Sequence, residues 1–251
     1  MLCARLIFLA LVCAATGLAA DSAESLVRDA LAAEAKLDST RALERFLAAD
    51  RAQPDNPLIL QKIARQYSDL EVDAVSPAEK KKLAQHALGY AQRAVVLDPK
   101  NPVNVLSLAI CHGKLGVHSD TRTKIEYSRL VREEAARALA LDPDYAWAHH
   151  VLGRWHYEVA TLGGTTKFFV RLIYGGLPDA SVAEAVKHLS RAEQLDPRTV
   201  AHPLELGFAL LAAGENETAR AAFARGLALP SREKQDETAK ARARAALEKL
   251  R

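Results

Sequence analysis

The segment Leu206–Pro230 reads LGFALLAAGENETARAAFARGLALP and carries the clearest structural signal in the chain. Two apolar, helix-favouring stretches flank a turn at Gly214. Gly207 and Gly226 supply small residues where two helices would cross closely, and Phe223 supplies the bulk that fills the space between them. The segment ends in a proline, which lacks an amide hydrogen and cannot continue a helix. This pattern predicts a tightly packed antiparallel helix pair.

The same ending recurs along the chain. The phrases AVVLDPKNP, ALALDPDYA and AEQLDPRTV begin at residues 94, 138 and 192, and each closes an amphipathic stretch with Asp-Pro. Including weaker copies, the prolines at positions 54, 99, 143, 197 and 230 lie 45, 44, 54 and 33 residues apart. The last interval is close to the repeat of about 34 residues that is typical of tetratricopeptide proteins. The spacing therefore predicts an array of tetratricopeptide helix pairs.

We predict an all-α, right-handed α-solenoid over residues 21–233. Its five units are predicted at 23–56, 57–101, 102–145, 146–199 and 200–233. The three middle units are longer than the typical repeat, and the extra residues are expected as inserts between helix A and helix B of each unit. The charged segment 234–251 is predicted to form the polar capping helix that a solenoid needs at its end.

Part of the chain resembles a specific family. The stretches ALALDPDYAWAHHVLGRWHYEVA and ASVAEAVKHLSRAEQLDP resemble the regulator of microtubule dynamics family of tetratricopeptide proteins. The matching features are the string Leu152-Gly153-Arg154-Trp155, the long insert after it, and an Ala-Glu pair before Leu195. The resemblance covers roughly residues 83 to 250 and implies the fold. Animal members are associated with microtubules, which a bacterial periplasm lacks.

The first twenty residues predict export. A single positive charge, Arg5, precedes an apolar run that ends in small residues before Asp21. This is the layout of a secretory signal peptide, with cleavage expected after Ala19 or Ala20. An exported, periplasmic protein is therefore predicted, and retention of residues 1–20 as an uncleaved anchor is the alternative. After cleavage, no integral membrane span is expected.

Charge and cysteine content narrow the classes of partner. The chain has 34 basic and 31 acidic residues, a formal net charge of +3 that is too balanced to predict nucleic acid binding. Cys111 is the one cysteine outside the predicted signal peptide, so no internal disulfide is expected. Its apolar neighbours predict a buried side chain. The expected partner is another protein or a peptide.

The candidate binding groove follows from the position of each residue in helix A. In tetratricopeptide units the second, fifth, ninth, twelfth and thirteenth positions line the concave face. An arginine offers a planar fork for a carboxylate, and aromatic rings offer rigid apolar surfaces for a peptide or helix. The alternative for the apolar end of the groove is that the C-terminal helix covers it. The predicted groove residues are Trp147, His150, Arg154, Tyr157 and Glu158 in the fourth unit, with Arg65 and Phe208 in neighbouring units.

A metal-dependent enzyme is the alternative that the histidines raise. His149, His150 and His156 lie within eight residues. However, His149 and His156 are seven positions apart, roughly 10 Å along a helix, and a zinc-binding helix spaces its histidines by about four residues. The chain also lacks the G-x-S-x-G, H-E-x-x-H and C-x-x-C motifs of hydrolytic, zinc and redox sites. We therefore predict no catalytic residues, no metal and no cofactor.

The insert at residues 161–178 has an apolar character of its own. Phe168, Phe169, Leu172 and Ile173 fall on one face of a predicted short helix. Three interpretations remain open: a flap packed over the solenoid, an element that binds a partner, or a membrane-surface tether. In the last case the chain would make peripheral membrane contact.

Overall fold

The computed structural model describes residues 22–250, and within that range the chain forms twelve α-helices and no strand. The all-α prediction is confirmed. The predicted signal peptide lies outside the described residues. No helix among residues 22–250 is long and apolar enough to cross a membrane.

The helices pair in sequence order, each pair forming one repeat. The A and B helices of the first four pairs are α1 and α2, α3 and α4, α5 and α6, and α7 and α9, while α8 stands in the fourth unit between its two partners. The fifth pair is α10 and α11, and α12 follows it. The bounds are α1 Ala23–Glu34, α2 Ser39–Ala52, α3 Pro57–Asp73, α4 Pro77–Leu97, α5 Pro102–Val117, α6 Thr121–Leu141, α7 Ala146–Ala160, α8 Gly164–Tyr174, α9 Val182–Leu195, α10 Ala201–Ala212, α11 Asn216–Ala228 and α12 Asp236–Glu248.

The recurring Asp-Pro phrase sets where one helix ends and the next begins. Asp98 is the C-cap of α4, and Pro99 follows it in a turn. The Asn101 side chain then accepts a hydrogen bond from the Val103 amide, and Pro102 occupies the first turn of α5. Proline is tolerated there because the first amides of a helix have no partner within it. The repeat boundary is thus encoded in five consecutive residues.

The extra residues of the second and third units lengthen helices. α4 and α6 each have 21 residues, whereas α11 in the fifth unit has 13. Only three residues separate α3 from α4 and α5 from α6. The segments are helix-favouring and capped by Ser76 and Asp120, so the inserts expected there form additional helical turns. Only the fourth unit adds a separate helix, α8.

Small side chains allow the helices to approach closely. Gly207 on α10 faces the ring of Phe223 on α11, and Gly226 faces Leu204 in the same way. Phe223 and Leu204 are fully buried. The single cysteine of the described range, Cys111, is also buried, as predicted, and burial raises the pKa of its thiol to about 12. The core therefore consists of large residues seated against glycine and alanine.

Candidate functional site

Arg154 and Glu158 lie on the exposed face of α7. The Arg154 Nε donates to Glu158 Oε1 at 2.8 Å, one helical turn away, and both side chains are exposed. Partial burial lowers the pKa of Arg154, but the negative charges of Glu205 and Glu158 outweigh it and raise the pKa overall. The guanidinium is therefore always charged, and its partner lies on its own helix. An exposed pair of this kind contributes about 0.3–0.5 kcal/mol, so an incoming carboxylate can replace Glu158 at little cost.

Two half-buried aromatic side chains lie on the same helix, Tyr157 directly before Glu158 and Trp147 seven residues before Arg154. Trp147 is half-buried, and its ring meets the rings of His150 and His202 edge-on at centroid distances of 5.1 and 5.0 Å. Tyr157 is half-buried against the apolar cluster of α9, α10 and α11. Both rings are held by neighbouring helices and keep part of their surface open. They can offer rigid apolar contacts on the same helix as the Arg154 guanidinium.

His150 does not line the groove, and its predicted place on the concave surface is wrong. The side chain is buried, and its Nδ1 lies 3.1 Å from Nδ1 of His202 on α10. The helix of the next repeat packs over this position, which sequence periodicity within α7 could not reveal. Burial, followed by the charges of His202 and Arg154, lowers the pKa of His150 well below its usual value. A neutral imidazole is required for this contact.

A second histidine pair joins α7 to α9. His149 Nδ1 lies 2.9 Å from His188 Nδ1, and the His156 ring stacks on His188 at 5.9 Å. Burial and the neighbouring histidines lower the pKa of His188 to about 4. Nothing in the local sequence around His188 or His202 marked them as partners, because each lies in a different repeat element from the residue it contacts.

The histidines that suggested a metal site are thus divided between two contacts. His149 and His156 approach His188, whereas His150 approaches His202. Across residues 22–250, no group of three or more His, Cys, Asp or Glu side chains is placed to hold a metal ion.

Arg65 on α3 is held by a segment from the far end of the chain. Its Nη2 donates to Glu233 Oε2 at 2.6 Å, and Lys234 Nζ donates to Asp73 at 2.7 Å. The loop between α11 and α12 therefore reaches from the fifth unit to the second. Burial raises the pKa of Asp69 to about 6; Arg65 opposes this and Glu233 adds to it. Arg65 thus already binds a carboxylate that comes from outside its own repeat.

The loop itself is firmly held. The Asp236 carboxylate accepts hydrogen bonds from the backbone amides of Arg232 and Glu233, and Lys240 Nζ donates to the Leu229 carbonyl and the Ser231 hydroxyl. These hydrogen bonds tie the segment 231–234, which we call the cross-groove segment, to the start of α12 and to the end of the fifth helix pair.

The Arg65–Glu233 contact predicts a measurable coupling. A double-mutant cycle of Arg65→Ala and Glu233→Ala is expected to give a coupling energy of about 1 kcal/mol in urea unfolding, decreasing in high salt. Arg122 and Glu126, an exposed i,i+4 pair on α6, form the matched control, with an expected coupling of about 0.3–0.5 kcal/mol. A coupling at Arg65–Glu233 no larger than that of the control pair would show that the cross-groove segment is not held by this ion pair.

Phe208 is covered by the C-terminal helix. Its ring packs edge-on against Phe223 at 5.0 Å, and the Arg242 guanidinium of α12 lies 4.5 Å above it. Arg242 Nη1 also donates to the buried Glu205 at 2.9 Å. The sequence left two alternatives for the apolar end of the groove: open to a ligand, or covered by the C-terminal helix. In the structure α12 covers it.

The apolar face of the insert points away from the solenoid. Phe168, Phe169, Leu172 and Ile173 are 61%, 51%, 68% and 61% exposed, while Val170 on the opposite side of α8 is buried. The interpretation of this face as a flap packed over the solenoid is therefore wrong. The helix is attached through its other side, where Arg129 of α6 donates to the carbonyls of Tyr174 and Gly176.

The family model for regulator of microtubule dynamics protein 1-3 matches residues 26–251. The chain belongs to that family. It is 32% identical over 143 residues to regulator of microtubule dynamics protein 3 of Xenopus laevis, covering 57% of this chain and 31% of the relative. It is 30% identical over 159 residues to regulator of microtubule dynamics protein 1 of Bos taurus, covering 63% of this chain and 50% of the relative. The chain thus spans half or less of the length of these two relatives.

Among solved structures, a thermophilic TPR protein of Thermus thermophilus superposes with a TM-score of 0.65 at 20% identity, over 90% of this chain and 99% of the other. This similarity, together with the helix pairs, shows a tetratricopeptide solenoid, and the predicted family and fold are confirmed.

Proposed function

We propose that the chain is an exported, non-catalytic interaction module of the cell envelope that binds a peptide or helix on its concave face. The contact centre would be the part of α7 that carries Trp147, Arg154, Tyr157 and Glu158. Export is proposed from the composition of residues 1–20, and the absence of catalysis from the scaffold fold and the missing catalytic motifs.

The observation that supports the proposal best is that Arg154 is paired only weakly within the protein. Its carboxylate partner, Glu158, is exposed and lies on the same helix, as do the half-buried rings of Trp147 and Tyr157. A guanidinium that can exchange its carboxylate, on a helix that also carries partly exposed aromatic rings, has the composition of an interface anchor. A peptide carrying an acidic residue next to an apolar one would match it.

The cross-groove segment supports the same chemistry at the second unit. There Arg65, a predicted groove residue, binds Glu233, a carboxylate from a segment outside the helix pairs. A bound peptide would occupy the adjoining part of the face, around α7. The C-terminal helix covers Phe208 of the fifth unit, so the proposed contact surface is limited to α7 of the fourth unit, where Tyr157 lies.

Affinity capture with paired charge reversals tests the proposal. The wild-type protein and the variants Arg154→Glu and Arg122→Glu are used as baits in periplasmic extracts. The export prediction also requires that the chain itself is found in the periplasmic fraction. Arg122 is matched to Arg154 because it too is exposed and paired with a glutamate at i+4, but it lies on a B helix. Arg154→Glu is expected to reduce recovery of the partner by about tenfold or more, since it places two like charges one turn apart and repels a carboxylate.

The control variant shows whether a loss of binding is specific to Arg154. Arg122→Glu is expected to recover the partner at the wild-type level, and both variants should keep the wild-type helical circular dichroism signal. Equal recovery by wild type and Arg154→Glu would place the binding surface elsewhere. Metal analysis of the purified protein addresses the enzymatic alternative, which requires a stoichiometric metal ion.

A further inference from the structure

We infer that the exposed face of α8 docks on an anionic lipid bilayer surface. The face consists of Phe168, Phe169, Leu172 and Ile173, and we call it the α8 face. Each of these side chains is more than half exposed, and all four lie within six residues. This surface is part of the insert and does not depend on the peptide-binding proposal.

The side chains of the α8 face are turned outward by the way the helix is attached. Val170 is buried on the opposite side, and Arg129 of α6 donates to the Tyr174 carbonyl at the C-terminal end of α8. Near the other end, Lys167 Nζ donates to the Ala160 carbonyl. Fixing the helix by these contacts leaves the apolar side without any covering element among residues 22–250. A soluble protein rarely exposes four large apolar side chains together unless they bind something.

The charge around the α8 face indicates a partner with negative charge. Residues 161–178 contain Lys167 and Arg171 and no acidic residue. Arg171 is exposed and lies at the edge of the apolar side chains. An apolar helical face with basic residues at its edge is the composition of helices that lie in the interface of an anionic membrane, with their apolar side chains among the headgroups and upper acyl chains.

The same charge argues against a second copy of this chain as the partner. A second α8 face would bring the same basic residues, Lys167 and Arg171, and no acidic residue from 161–178 to neutralise them. Anionic lipid headgroups supply that neutralisation. The exposed aromatic pair, with ring centroids 5.7 Å apart, also suits the bilayer interface, where aromatic rings are favoured.

Vesicle flotation tests the inference. The purified chain is mixed with vesicles of phosphatidylcholine alone or of phosphatidylcholine with phosphatidylglycerol. Wild type is expected to float with the anionic vesicles, and Phe168→Asp is expected to reduce the bound fraction by about tenfold or more, because a charged side chain replaces an apolar one at the surface that inserts. Arg171→Glu should reduce binding to the anionic vesicles as well.

The matched control is Val96→Asp, because Val96 is 80% exposed on α4, away from the insert. It makes the same change from apolar to acidic and should leave flotation unchanged. Failure of wild type to bind, or equal binding by wild type and Phe168→Asp, would overturn the inference. A third outcome would also overturn it: light scattering shows that the wild type is a dimer, Phe168→Asp dissociates this dimer, and neither protein binds vesicles. The α8 face would then serve self-association.

Discussion

Substituting Gly207→Ala is expected to destabilise the protein by about 2 kcal/mol, although alanine favours helices more than glycine does. A Cβ at this position would lie 2.5 Å from Cε1 of Phe223. Phe223 is fully buried and is wedged between Gly207 and the ring of Phe208, so it cannot move away. The added methyl group must push α10 and α11 apart.

Gly89→Ala is the matched control for that experiment. Gly89 also lies inside a helix, α4, but no atom lies within 4 Å of a Cβ built there. Only the helix propensity changes, so the variant is expected to gain about 0.5–1 kcal/mol. Urea unfolding of the two variants should therefore shift in opposite directions. A stabilised Gly207→Ala variant would mean that α10 and α11 are not packed as described.

Acidification is expected to weaken the histidine contacts by which α7 packs against α9 and α10. The pKa of His188 is lowered to about 4 by burial and by His149 and His156; that of His202 is lowered to about 4 by burial, with Asp196 and Glu193 opposing the change. In the unfolded chain a histidine protonates near pH 6.5, so below that pH the unfolded state binds protons that the folded state does not. Stability is thus lost as the pH falls from about 6.5 to about 4, by about 2 kcal/mol per histidine between pH 7 and pH 5.

Replacing His202 isolates its share of this effect. His202→Gln removes the titration while keeping a side chain that can hydrogen-bond to His150, so its free energy of unfolding should fall about 2 kcal/mol less between pH 7 and pH 5 than that of wild type. Asp69, whose pKa is raised to about 6, stabilises the folded state as the pH falls, but it is present in both proteins and cancels in the difference. His86→Gln, at an exposed position, should retain the full wild-type loss. An unchanged pH dependence in His202→Gln would contradict the neutral-pair assignment.

The fold could be predicted because its determinants are local. Asp-Pro endings, the asparagine caps and the small residues at 207 and 226 each act within a few positions of the chain. The lengthened helices of the second and third units could not be foreseen from the repeat interval alone. Their extra residues are as compatible with a loop as with a helix until the partner helix provides an apolar surface along its length.

The candidate site was predictable only in part. Arg154, Glu158 and Tyr157 have the expected relation along α7 because they depend on helical periodicity. The burial of His150 depends on His202, and the neighbours of Arg65 depend on Glu233, which is 168 positions away. Contacts between repeats arise from the curvature of the solenoid, and no pattern within one repeat encodes them.

The cross-groove segment also constrains how this protein can diversify. Open repeat arrays gain or lose a unit without harm, because each repeat touches only its neighbours. Here Glu233 and Lys234 must arrive opposite Arg65 and Asp73, and inserting or deleting one helix pair would rotate and displace them by a whole repeat. A change in the number of repeats between α3 and α12 would therefore break both ion pairs, so variation in this chain is expected in the length of its helices and in inserts such as α8.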